Sequence, residues 1–271
     1  MKERNSFKNL GQYKAYLEII DDFEQLYIIQ QGGRGVTRKE VIERLESAIA
    51  KDAKSVFDAK KSLWRNIMIL YIDTCYKILN IALYENQKVL LSFNQKLENN
   101  MTDLTLIYIN KLFEQTKKDI SSLSKVIVSN GPGSFTGIRI GLTIAKTIAY
   151  ALNIPIITIS KLTTMALSSN SEYKVPIISA RHSSFYAAIF KNEEIIMPES
   201  YIQIEDLKKK LIDINNYVYI SYDEVLFENT EISNVNFEKV INYAIKLKPT
   251  PVELVDANYL KRTEAEERKS S

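Results

Sequence analysis

The residues best suited to chemistry form a glycine-rich turn near the middle of the chain. Residues 130–141 read NGPGSFTGIRIG, between a β-branched run at 125–129 and a helical pattern. The turn therefore joins a strand to the start of a helix, where Ser134 and Thr136 can cap free N–H groups. Such a helix start can bind phosphate, because glycine lets a ligand approach the backbone. The same glycines would also allow a second helix to pack closely, and both alternatives stay open.

Two other reactive side chains lack partners in the sequence. His182 is the only histidine, so no H-x-x-x-H pair exists to hold a protease metal, and we expect no metal site. Cys75 is the only cysteine, so no internal disulfide can form. We interpret Cys75 as a small buried thiol at a strand end and not as a nucleophile.

Composition limits the class of protein. The chain has 271 residues, 45% apolar and 25% charged, which suits two modest soluble domains. The net charge of +3 comes without a basic block interleaved with aromatics, so it does not argue for a nucleic-acid surface. No apolar run could span a bilayer and the polar N-terminus argues against a signal peptide. We expect a cytoplasmic protein with no membrane contact.

Hydrophobic patterns outline an α/β domain from residue 67 onwards. Apolar runs at 67–72, 78–83 and 88–93 predict three strands. Helices are predicted at 102–116 and 137–153, each followed by a strand, in the order βββαβαβ. In the first helix, the apolar positions at helical spacing are Leu104, Ile107, Tyr108 and Leu112.

A looser copy of this order follows. Strands are predicted at 175–179, 185–190, 193–196 and 217–220, and helices at 160–169, 205–211 and 237–247. Two similar halves predict two α/β lobes that face a cleft, an N-terminal lobe at 67–160 and a C-terminal lobe at 161–260. Residues 1–66 predict a helical hairpin and a linker, and 261–271 a charged tail.

The motifs resemble one family. The string at 131–141, with the strand ending in Asp73-Thr74, resembles the TsaB (YeaZ) family, and 259–262, YLKR, is a weaker match. The resemblance covers roughly residues 67–262. Two positions depart from it: the first helix starts without a histidine, and Ser179 stands where an aspartate is usual. The extension at 1–66 lies outside the resemblance and is faintly similar to C-terminal segments of small bacterial antitoxins; a fused or read-through fragment is the alternative.

The resemblance implies a two-lobed actin-like, sugar-kinase-like (ASKHA) fold and a noncatalytic role. TsaB proteins act as the dimerisation partner of TsaD in the complex that makes threonylcarbamoyl-adenosine on tRNA, and a TsaE-type ATPase completes the complex. Contact with tRNA would be indirect, and a homodimer through the same helices is the alternative when the chain is alone. The expected partner interface comprises Leu104, Tyr108, Gly133, Ser134, Phe135, Thr136, Gly137, Arg139, Gly141 and Ala145.

The competing hypothesis is a nucleotide-binding ATPase of the same fold. In an ASKHA site, an acid at the end of the first strand orients a metal or water, and Asp73 with Thr74 could supply it. Phosphate-binding turns also need glycine, yet all eight glycines lie at or before position 141. We therefore expect a degenerate nucleotide site, no catalytic residue and no cofactor.

Overall fold

The computed structural model describes residues 67–97, 100–180, 184–223 and 227–261. The predictions for residues 1–66, for His182 and for the tail beyond Lys261 lie outside these residues. Within the described part of the chain, no helix is long and apolar enough to cross a bilayer.

The first sheet is built around a fully buried strand. Its strands are β1 (Met68–Asp73), β2 (Ile78–Glu85), β3 (Lys88–Lys96), β4 (Leu123–Ser129) and β5 (Ile156–Ile159), in the order β3-β2-β1-β4-β5. The first three strands are antiparallel, and β4 and β5 continue the sheet in parallel. All six residues of β1 are buried, as its unbroken apolar run predicts for a strand covered on both faces.

The second sheet repeats this topology. It contains β6 (Tyr173–Ser179), β7 (Ser184–Lys191), β8 (Glu194–Gln203), β9 (Tyr217–Ser221) and β10 (Thr230–Ile232), in the order β10-β9-β6-β7-β8. Again a central strand pairs antiparallel on one side and parallel on the other. The repeat confirms the predicted α/β ASKHA fold of two lobes. The sequence missed β10, a three-residue strand with no buried position to set a pattern.

Five α-helices cover the sheets in the described part of the chain: α1 (Met101–Thr116), α2 (Phe135–Leu152), α3 (Lys161–Ala166), α4 (Ile204–Lys210) and α5 (Phe237–Ala244). The first two pack on one face of the first sheet. Single turns of 3-10 helix occur at Ile120–Ser122 and Val252–Leu254. Ser134 caps α2 by accepting a hydrogen bond from the Gly137 amide at 3.3 Å, as predicted.

The later helices divide between the two sheets. Side chains of α3 pack on β6, β7 and β9 through Leu162, and α4 covers the opposite face of that sheet through Leu207. The last helix returns to the first sheet, where Phe237 packs edge-on against Tyr71 with ring centroids 6.0 Å apart, and Val240 and Ile241 belong to the same buried cluster. The predicted lobe boundaries at 67–160 and 161–260 stay a prediction, and residues of the second range also cover the first sheet.

Candidate functional site

The cleft between the sheets is the place where an ASKHA protein would hold a nucleotide. Asp73 stands there at the end of β1, as the sequence predicts, and its side chain is fully buried. The Nζ atom of Lys161, the first residue of α3, lies 2.5 Å from Oδ2 of Asp73, and the lysine is equally buried. Lys161 also donates a hydrogen bond to the Tyr222 hydroxyl at 2.8 Å. The cation that pairs with Asp73 is therefore a lysine of the same chain.

Three further donors surround the Asp73 carboxylate. The Cys75 amide donates to Oδ1 at 3.1 Å, and Tyr71 and Asn80 donate to Oδ2 at 3.4 and 3.5 Å. With Lys161, three donors converge on Oδ2 and one reaches Oδ1, so donors of this chain contact both oxygens. These contacts hold the Asp73 side chain in place.

Aromatic side chains cross the cleft beside this ion pair. The Tyr76 ring stacks on the Tyr222 ring with centroids 5.3 Å apart, and its hydroxyl donates a hydrogen bond to Asp223. Asp223 also accepts from the Ser179 hydroxyl at 3.2 Å. Ser179 is the position where the related family usually has an aspartate, and here it binds another carboxylate. The contacts of Tyr76 with Tyr222 and Asp223 connect the two lobes across the expected nucleotide position.

Burial sets the protonation behaviour of the cleft. Desolvation alone would lower the pKa of Lys161, but the charge of Asp73 and the Tyr222 hydroxyl outweigh it, so the lysine pKa is raised and the amine stays charged. Desolvation also raises the pKa of Cys75, and nearby Asp73 raises it further. Cys75 is a protonated thiol that donates to the Ser129 carbonyl at 3.3 Å, so it is no nucleophile.

The glycines of the turn bring α2 onto the end of β1. A Cβ atom at Gly137 would lie 2.1 Å from the Thr74 carbonyl oxygen, and one at Gly141 would lie 2.5 Å from Thr74 Oγ1. The Thr74 hydroxyl donates to the Gly137 carbonyl at 2.6 Å. The backbone at Gly133, with φ of +157°, approaches the Cys75 carbonyl in the same way. The close approach that the glycines allow is therefore made within this chain.

This packing corrects part of the expected partner interface. Gly137, Gly141 and Ala145 are buried against the first sheet, so they are not available to a partner helix. Thr74 likewise serves this packing, and it also lines a cavity of about 390 Å³ together with Tyr76 and Ser134. Of the predicted residues on α2, those that face outward are Ser134, Phe135, Thr136 and Arg139. Glycine spacing could not distinguish packing within this chain from packing of a partner helix. It predicts that another part of a protein comes close to the helix, but not which part.

On α1, the expected interface residues Leu104 and Tyr108 stay a prediction, and two further apolar residues are more exposed than they are. The helix buries Thr105, Ile109, Leu112 and Phe113. Tyr108 is half-buried, with its ring 4.9 Å from that of Phe93 on β3, and Leu104 is half-buried too. Leu106 and Ile107 instead remain 47% and 46% exposed. Sequence periodicity chose the face containing Leu104 and Tyr108, because α1 carries apolar residues around much of its circumference.

The outer surface of α2 carries little charge, whereas α1 exposes Asp103, Lys111 and Glu114 beside Leu106 and Ile107. In the 18 residues of α2, Arg139 and Lys146 are the charged ones. Its exposed positions are otherwise uncharged, and Thr136, Thr143 and Thr147 follow one another at helical spacing. A groove of about 380 Å³ lies at the N-terminal end of the two helices, lined by Thr102, Phe135, Thr136, Arg139, Ile140, Thr143 and Ile144. A solvent-facing helix normally carries charge here, so this surface has the character of an interface.

The described residues contain no group of three or more His, Cys, Asp or Glu side chains that could hold a metal ion. The fold and this filled cleft together define the class: a two-lobed ASKHA-type protein in which the acid at the end of the first strand is bound by a lysine of the same chain.

Comparison with known proteins agrees with this class. Residues 96–242 match the family model of TsaD, tRNA N6-adenosine threonylcarbamoyltransferase. The TsaB protein of Bacillus subtilis, a tRNA threonylcarbamoyladenosine biosynthesis protein, is 30% identical over 69% of this chain and 84% of its own length. TsaB of Buchnera aphidicola from Acyrthosiphon pisum is 29% identical over 60% of this chain and 85% of its own. The YeaZ structure from Pseudomonas aeruginosa, 18% identical, superposes with a TM-score of 0.61 over 72% of this chain and 100% of its own.

The chain belongs to the TsaB (YeaZ) family. The sequence motifs at 131–141 and the ASKHA fold both agree with this membership, which the resemblance predicted.

Proposed function

We propose that this protein is a noncatalytic subunit that binds a TsaD-type sister subunit and so supports formation of threonylcarbamoyl-adenosine on tRNA. The observation that carries the proposal is the outer surface of α2, which carries little charge, next to Leu106 and Ile107 exposed on α1. Two long helices that pack on the sheet with one side and expose apolar residues on the other can form half of an interhelical interface.

The filled cleft supports the noncatalytic part of the proposal. An ATPase would need a carboxylate free to act on a metal or water, whereas Asp73 is neutralised by Lys161 at 2.5 Å. It would also need backbone open to phosphate in the second lobe, where the sequence has no glycine. These two observations favour the noncatalytic subunit over a nucleotide-binding ATPase.

The remaining members of the complex follow from the family. We infer that a TsaE-type ATPase joins through the complex, that tRNA is contacted indirectly and that the protein works in the cytoplasm. When the sister subunit is absent, the same helices would be free to form a homodimer.

The test is a calorimetric titration of the full chain with a TsaD-type subunit, with ATP and ADP titrated separately. We expect a one-to-one complex with the subunit and no heat of binding with either nucleotide. Light scattering of the chain alone reports any homodimer that competes. Nucleotide binding without complex formation would overturn the proposal in favour of the ATPase hypothesis.

A further inference from the structure

Arg139 is held in place at the first turns of α2. Its Nε atom donates a hydrogen bond to the Tyr259 hydroxyl at 3.1 Å. Its guanidinium carbon lies 3.9 Å from the centroid of the Phe135 ring, and Phe135 stacks on Tyr259 with centroids 5.3 Å apart. A planar guanidinium fixed by a ring face and a hydroxyl has lost much of the side-chain freedom that binding would otherwise remove.

Tyr259 is itself fixed by the C-terminal segment at 255–261. The Asn258 amide donates to the Asn130 carbonyl at 2.7 Å, and the Asn258 side chain donates to Glu199 on β8 at 2.7 Å. Lys146 donates to the Val255 carbonyl at 3.0 Å. The segment thus spans from the glycine turn to the second sheet, and the orientation of Arg139 depends on an anchored stretch of backbone.

The charge of Arg139 is not balanced. Within the part of the chain that the structure describes, its terminal nitrogens have no carboxylate at ion-pair distance and no hydrogen-bond acceptor. The residue is exposed and lies near the N-terminus of an 18-residue helix, whose dipole adds positive potential. A fork of N–H donors in this setting matches the geometry of a carboxylate or phosphate.

The groove beside Arg139 indicates the kind of group that fits. Its walls are hydroxyls and methyl groups of Thr102, Thr136 and Thr143 with the aliphatic side chain of Ile140, and Arg139 is its only charged lining residue. A polyanion would need several cations. Glu253 and Asp256 are exposed on the segment that leads to Tyr259 and would repel one. One carboxylate on an aliphatic stem suits these walls better.

We propose that Arg139, positioned by Phe135 and Tyr259, is a carboxylate-binding site for an Asp or Glu side chain of the partner subunit. This inference rests on the proposed function, because it names a contact within the same interface. Phe135 and Arg139 present the site, and Tyr259 acts as the positioning residue. The docking surface then extends beyond the two helices onto the C-terminal segment.

The experiment compares variants of the full chain in titrations with a TsaD-type subunit at low and high salt. Arg139→Met should weaken binding about tenfold or more and flatten its salt dependence. Tyr259→Phe keeps the ring but removes the hydroxyl that holds Nε, and should weaken binding about threefold or more. Arg139→Lys should fall between wild type and Arg139→Met, because it keeps the charge and loses the fork.

Lys208→Met is the matched control. Lys208 is an exposed cation on α4, over the Phe227 ring at 5.9 Å, and α4 covers the second sheet and not the docking helices. We expect its affinity to stay within twofold of wild type. Thermal unfolding of every variant verifies that a loss of binding is not a loss of fold.

The outcomes separate the two proposals. If the wild-type chain does not bind the subunit, the proposed function fails and the site fails with it. If wild type binds and Arg139→Met behaves like Lys208→Met, the carboxylate site alone is overturned. A parallel titration with fluorescent single-stranded RNA tests the phosphate alternative. Loss of RNA binding in Arg139→Met, with subunit binding unchanged, would assign the guanidinium to phosphate and overturn the inference.

Discussion

Lys161 and Asp73 form a fully buried ion pair that joins the start of α3 to the end of β1, with Nζ and Oδ2 2.5 Å apart. The pair places a lysine ammonium where an active ASKHA cleft would need a free carboxylate. Because α3 packs on the second sheet and β1 is the central strand of the first, the pair also connects the lobes. Thr74, the next residue, contacts Gly137 of α2, so this connection lies beside the proposed docking helix.

Breaking this ion pair should destabilise the protein. Lys161→Met leaves Asp73 charged and buried without its counter-ion, and we expect a loss of about 3–5 kcal/mol in the free energy of unfolding. Urea unfolding at neutral pH measures it. Asp73→Asn combined with Lys161→Met removes both charges and should lose clearly less. Equal losses for the single and the double variant would show that charge pairing is not the cause.

Lys125 should reduce stability at neutral pH. Its side chain is fully buried in β4, and among the residues that the structure describes its Nζ has no hydrogen-bond partner. Desolvation lowers the pKa of Lys125 from 10.5 to about 8. Below pH 8 the folded state must bury the charged amine, at a cost of about 3 kcal/mol given roughly 1.4 kcal/mol per pKa unit. Lys125→Met should therefore be the more stable protein at pH 7.

The pH dependence tests the sign of this effect. The unfolded chain holds the Lys125 proton to higher pH than the folded chain, so wild-type stability rises between pH 8 and about 10.5 relative to Lys125→Met. Urea midpoints across this range should converge for the two proteins. Lys88→Met, at an exposed site on β3, controls for the loss of one charge. The difference in urea midpoint between Lys88→Met and wild type should not change with pH. A constant gain for Lys125→Met at every pH would contradict the explanation.

The two helix glycines should respond differently to a change at Thr74. Gly141→Ala places a Cβ atom 2.5 Å from Thr74 Oγ1, whereas Gly137→Ala places one 2.1 Å from the Thr74 carbonyl oxygen. Both single variants should unfold at lower urea concentration. Thr74→Ala removes the hydroxyl and should offset much of the Gly141→Ala loss, while leaving the Gly137→Ala loss unchanged. Thermodynamic cycles measure the two coupling energies, and equal coupling for both glycines would contradict this geometry.

The outer face of α1 should be necessary for complex formation. Leu106→Arg puts an unpaired charge in the proposed interface, where desolvation opposes binding, and we expect affinity for a TsaD-type subunit to fall about tenfold or more. Ile212→Arg makes the same change at a residue of the second lobe that is 74% exposed, and should leave affinity unchanged. Both substitutions lie on the surface, so unfolding midpoints should match wild type. An equal effect of the two would rule out this face.

The sequence by itself determined every strand except β10, the order of the other elements and the family. Strand β1 could be predicted from its apolar run, because a strand buried on both faces is apolar at nearly every position. Ser134 was recognisable as the cap of α2, since a hydroxyl just before a helix start has a local partner three residues later. The glycine string at 131–141 was specific because at each glycine a Cβ atom would lie within 3 Å of a neighbouring backbone or side-chain atom.

Only the tertiary structure decided what these residues contact. Asp73 could have held a metal, but its counter-ion is Lys161, 88 positions later in the chain. Gly137 could have received a partner helix, but it contacts Thr74, 63 positions earlier. On α1, apolar residues occur around much of the helix, and packing on the sheet selected Thr105 and Ile109 while leaving Leu106 and Ile107 outside. Local patterns depend on neighbours within a few residues, whereas these contacts depend on which distant strand the fold brings alongside.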